Sequence, residues 1–171
     1  MKEYELKKLI NNKEYLYDKL KEFKDKNQVR KQSIDDEEIK GHLLKSEHNL
    51  RFVANNKPQF SDWSIIGCYY ACYHAALALI QHKGYTSKNH HATICLLIRD
   101  FYNKELDEED IETFNQLLDY QDLLFYVESK NKRENASYTT KTKFTKEEVE
   151  KLRIKAALFV SKIKDYFRQK E

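Results

Sequence analysis

Apolar side chains recur along most of this chain at the three- and four-residue spacing of an α-helix, not at the alternation of a strand. Leu6, Leu9, Ile10, Leu16, Leu20 and Phe23 form one such stripe among charged residues and predict an amphipathic helix over about residues 2–31. Ile39, Leu43, Leu44 and Leu50 predict a second, from near Ser33, where Ser33 and Asp36 make a cap pair, to about Val53. After a loop carrying the only proline, Pro58, a third helix runs from about Ser61 to Gly84 and is apolar on every side, which suits the axis of a bundle. Ile94, Leu96, Leu97, Ile98 and Phe101 mark a fourth from near Ser87, and Phe114, Leu117, Leu118 and Leu124 mark a fifth over about Glu108 to Val127. Residues 129–144 read as a loop. The last helix opens with Thr145 and Glu148 in capping-box spacing and carries Val149, Leu152, Ala156, Phe159, Val160 and Ile163 to about Phe167.

The stretch from Trp63 to Ile80 raises the question of a membrane span. Ser64, Gly67, Tyr69, Tyr70, Tyr73 and His74 are spread through it, so a buried bundle helix is the expected answer and no membrane is expected. Three Gly and one Pro leave little of the turn chemistry a sheet protein needs. The expected fold is therefore all-α, a bundle of about five or six helices. A chain of 171 residues with 40% hydrophobic residues has the size and content for one core. One domain is expected over residues 1–171, with 1–32 as an N-terminal helical extension and 33–171 as the bundle.

A net charge of +3 is too small to imply nucleic-acid binding by itself. Its distribution is more informative: residues 104–128 hold nine acids and one Lys, whereas residues 130–146 hold five Lys and one Arg against Glu134. That basic segment is either a solvated surface or an anion-binding one. Cys68, Cys72 and Cys95 form an odd set, and the N-terminal residues have no signal-peptide pattern, so a cytoplasmic location is expected. Cys68 and Cys72 share a helix face and a metal pair with His74 or His90 is conceivable, but no paired zinc spacing is present. They are expected to be small core residues, and neither a metal nor a cofactor is expected.

Tyr69, Tyr70, Ala71, Cys72, Tyr73, His74, Ala75 and Ala76, then Ala78, Leu79 and Ile80, then Lys83 and Gly84, then Lys88, Asn89 and His90, resemble the signature of HEPN-domain proteins. Arg133, Ala136, Ser137 and Tyr138 resemble the family's later Arg and Ala-Asp-Tyr element, with Ser137 in place of the acid. The resemblance covers roughly residues 38–168 and leaves the N-terminal helix outside. It implies a compact, HEPN-like helical bundle that commonly dimerises and is found in toxin–antitoxin pairs, phage defence and RNA processing. Many members are metal-independent ribonucleases, whose pattern is an arginine, usually followed by a polar residue, with a histidine four to six residues further on. Two protomers combine these motifs at the dimer interface.

The pattern has a chemical reason. Attack of a ribose 2′-hydroxyl on its phosphate needs a group that moves protons near neutral pH and a fixed cation for the phosphoryl charge. Here no arginine is followed by a histidine at that spacing: Arg133 leads to Tyr138 where the histidine would fall. In the central helix, where some members carry an arginine seven residues before the histidine, Gly67 precedes His74. Each half-motif has lost a different partner.

His74, Arg133 and Tyr138 are the catalytic candidates, with His90 and Asn135 as further ones. Lys130, Lys132, Arg133, Lys141 and Lys143 are candidates for holding a phosphate. His74 has a competing reading as a core histidine bonded to a tyrosine hydroxyl, and His90 and His91 as capping or surface residues. Three functions follow. The favoured one is a catalytically degenerate homodimer that binds RNA, a nucleotide or a nucleotidyltransferase, a common family companion. The others are an active ribonuclease with a non-standard site and a purely structural helical protein. A homodimer also suits the 22 Phe, Trp and Tyr residues.

Overall fold

The computed structural model describes residues 1–55, 60–133 and 144–170, with the side chains of residues 121–133 left aside. Among the described residues there are seven helices and one small antiparallel pair of strands that are distant in sequence. In order they are α1 Glu3–Asn11, α2 Lys13–Asp25, β1 Val29–Lys31, α3 Asp36–Asn55, α4 Ser61–His82, β2 Tyr85–Ser87, α5 His90–Phe101, α6 Glu108–Arg133 and α7 Lys146–Arg168. The architecture is the all-α bundle that the apolar spacing predicts.

The N-terminal stripe is two helices where one was expected. Asn12 takes an extended backbone, and its side-chain oxygen accepts from the Tyr15 N–H at 2.9 Å, which caps α2. The bend lets Leu6 and Leu9 of α1 and Leu16 and Leu20 of α2 all reach the same buried core as α5. Asn27, at φ 56°, then turns the chain into β1, which pairs antiparallel with β2 through Val29 with Ser87 and Lys31 with Tyr85. Gly84, at φ 71°, makes the turn out of α4 and accepts from the Gln32 N–H at 3.0 Å.

That strand pair moves two helix starts. α3 is capped by Asp35, whose carboxylate accepts from Glu37 and Glu38, while the Ser33 carbonyl accepts from Gln81. α5 starts at His90, capped by Asn89, because Ser87 belongs to β2. α6 also runs further than expected: residues 129–133 are helical, and Lys130, Lys132 and Arg133 suit the negative C-terminal end of a helix. At its other end Asp107 and Asp110 accept each other's backbone N–H, and Lys162 of α7 reaches both carboxylates at 2.7 Å. The capping box of Thr145 and Glu148 forms as expected.

α4 is the axis. Ile65, Cys68, Tyr69, Ala71, Cys72, Ala75, Ala76, Leu79 and Ile80 are fully buried, with α3, α6 and α7 packed around them. It is long and apolar enough to cross a membrane, but 67% of its most apolar stretch is buried inside the bundle, which accounts for that hydropathy. Small residues let α3 approach closely: Ser46 is buried and donates to the Ala71 carbonyl at 2.7 Å.

Candidate functional site

Two polar clusters flank the centre of α4, and neither has the composition expected from the sequence. The first joins α4 to α3. His74 is partly exposed, and its partner is not a tyrosine hydroxyl but the imidazole of His42, with Nδ1 to Nδ1 at 3.1 Å. His42 also faces Glu38 one turn earlier, Nε2 to Oε1 at 3.9 Å. Glu38 is held in turn by Gln81 at 2.8 Å and Gln32 at 3.3 Å.

Electrostatics keep this pair neutral. Partial burial, then the neighbouring His42 and Lys45, push the His74 pKa down to about 4, and burial lowers that of His42 despite the opposing pull of Glu38. An imidazole so depressed is a weak base, because a general base works best near the operating pH.

The second cluster joins α4 to α5. The hydroxyl of Tyr69, fully buried, hydrogen-bonds Nδ1 of His90, and the Tyr73 ring lies 4.8 Å from the His90 ring. The tyrosine–histidine bond anticipated for His74 is thus found instead between Tyr69 of α4 and His90 of α5. His90 opens α5 but does not cap it, since Asn89 takes that role. Burial raises the Tyr73 pKa above its usual value, against a hydrogen bond with Thr93, so this phenol is no base at neutral pH.

Gly67 has a steric reason. A Cβ there would come within 2.5 Å of Val53 Cγ2 and 3.3 Å of Phe52 Cδ1 on α3. Any side chain at the position that would carry an arginine before His74 would have to displace Val53 and Phe52. Cys68, Cys72 and Cys95 are buried free thiols, and burial raises Cys68 and Cys95 to about 12 and Cys72 well above its ordinary value. They are core residues.

Lys130, Lys132 and Arg133 lie on the last turns of α6, and their side chains fall outside the described residues together with Asn135, Tyr138, Lys141 and Lys143. Of the candidates, then, only His74 and His90 have described side chains, and they lie on different helices, α4 and α5, with different partners. His42 was not among the candidates. Its i, i+4 spacing from Glu38 was visible in the sequence, but nothing there pairs it with a residue 32 positions away.

A family model described as "HEPN domain" matches residues 42–166. Over 131 residues the chain is 27% identical to a protein of Methanocaldococcus jannaschii described as "Putative toxin MJ0142", covering 75% of this chain and 81% of that protein.

Proposed function

The chain belongs to the HEPN-domain family, and from that premise we propose that it is a homodimeric binding or regulatory member of low intrinsic ribonuclease activity. Its ligand is RNA or a nucleotide held by the basic segment around Arg133, and its protein companion is a nucleotidyltransferase in a toxin–antitoxin or defence setting. The observation that carries this reading is the state of His74, bonded to a second histidine and held neutral, with Gly67 closed to any cation seven residues before it. A phosphoryl transfer would find neither a proton-transfer group of suitable pKa nor a fixed positive charge at that place. The M. jannaschii relative's description as a toxin supports the setting. Three buried free cysteines suit a reducing cytoplasm.

The same description favours a second reading, an active ribonuclease in which His74 or His90 meets Arg133 across the fold or the dimer. One experiment separates the two. The purified chain is incubated with labelled total RNA in EDTA, binding is followed by anisotropy and cleavage on gels, and light scattering gives the mass. A dimer that binds RNA and leaves it intact supports the binding reading. Robust cleavage lost on His74→Ala or His90→Ala establishes the enzyme, and a monomer that binds neither RNA nor nucleotide removes both.

A further inference from the structure

Two imidazoles on neighbouring helices point the same ring atom at each other. The Nδ1 atoms of His42 and His74 are 3.1 Å apart, with ring centroids at 5.3 Å and planes 32° from parallel. Two imidazole nitrogens facing each other at this distance hold either one shared proton or, once that proton has moved to the far ring nitrogen, a metal ion. Zinc–imidazole bonds are about 2.0–2.1 Å, so two nitrogens at this separation subtend an angle of about 100° at the ion, between square-planar and tetrahedral values.

A second observation points the same way. The Glu38 carboxylate lies 3.9 Å from Nε2 of His42, on the far side of the ring from Nδ1, and is itself anchored by Gln81 and Gln32. A carboxylate on that side of a ligating histidine favours the tautomer with its proton on Nε2, which leaves the Nδ1 lone pair free and makes it more basic. Both rings are partly exposed, so water reaches the pair. Among the described residues no group of three or more His, Cys, Asp and Glu converges, so solvent must supply the remaining ligands.

We propose that His42 and His74 chelate a divalent transition-metal ion of the Zn²⁺ class through their two Nδ1 atoms, with water in the other positions and Glu38 orienting His42. The lowered pKa values keep both rings in the ligating, neutral form at neutral pH. On binding, the proton shared between the Nδ1 atoms passes through water to Nε2 of its own ring, and no net proton is released. The positive charge of Lys45, felt by both histidines, restrains the affinity. This inference is independent of whether the protein binds or cuts RNA.

Calorimetric titration of the chelator-stripped full chain with zinc chloride tests it. One Zn²⁺ per chain with a micromolar dissociation constant is expected, abolished by His42→Ala and by His74→Ala. Glu38→Gln should weaken binding by about tenfold or more, and His48→Ala, on the exposed face of α3, should leave it unchanged. Zinc should also raise the melting temperature of the native chain and of neither histidine variant. Should a variant fail to fold, nitrogen-15 spectra of the native protein decide the matter through zinc-dependent shifts of the Nδ1 resonances of both histidines. No zinc binding by the native chain, binding that survives either histidine substitution, or shifts confined to other histidines would overturn the proposal.

Discussion

Gly67 of α4 stands so close to Val53 of α3 that a Cβ on it would lie 2.5 Å from the valine Cγ2. The two helices therefore touch through a residue that cannot be enlarged. Gly67→Ala should destabilise the fold by about 1–3 kcal/mol through overpacking, outweighing the better helix propensity of alanine. Val53→Ala should relieve part of that loss in the double variant, which a double-mutant cycle of urea melts would show. Additive losses would mean that the two positions do not meet.

The same argument extends along the axis. Ala75 and Ala76 are fully buried on the side of α4 away from solvent. Replacing either with Leu should cost about 1–3 kcal/mol. Thermal melts of both variants check this, and unchanged midpoints would show that this face has room to spare.

Stability should fall with acid through the histidine pair. In the fold His74 titrates near 4 and His42 below its ordinary value, so the unfolded chain takes up these protons first as pH drops. Stability from this source is full above about pH 6.5 and declines progressively toward pH 4. After discounting for solvent screening of partly exposed rings, the loss is on the order of 1 kcal/mol. Urea melts at pH 7.5 and pH 5 should show it in the native chain, and His74→Gln should flatten the difference.

The helical class and the place of most helices were legible because each amphipathic stripe is long and its caps are local: Thr145 finds Glu148 three residues away, and the uninterrupted apolar run of α4 admits no other place than the centre. What depended on distant partners was not. β1 exists because Val29 meets Ser87, and three-residue strands carry too little pattern to announce themselves. Asn12 reads as one more polar residue on a wet face until its side chain is seen capping α2. For the site, the type and position of His74 and His90 were readable from their family-like surroundings, but which atom each would bond was not. His74 turned to His42 across the α3 and α4 contact, while Tyr69 took His90.

The activity prediction rests on two half-motifs that fail for different reasons. In α4 the histidine is present, but its pKa is near 4 and the position of the missing arginine is sterically closed. Restoring a cation there by Gly67→Arg should unfold the protein before it could revive chemistry. Near the end of α6 the reverse holds: Arg133 is present, and Tyr138 stands where the histidine would fall. Phenols, whose ordinary pKa is ~10, are poor bases at neutral pH as a class. Losing a positioned acid–base group typically costs about 10² to 10⁴ in rate, so native cleavage of RNA should be weak or absent on gels. Arg133→Ala should weaken RNA binding and make the remainder less sensitive to salt, because one fewer counterion is displaced. Tyr138→His supplies the missing group at the family's spacing beside an existing cation, and it should raise metal-independent cleavage above the native level. The decisive comparison is Tyr138→His against the double variant Tyr138→His with Arg133→Ala. A gain that needs Arg133 places the dormant site at this element, whereas strong native cleavage abolished by His74→Ala and indifferent to Arg133→Ala would place catalysis in α4.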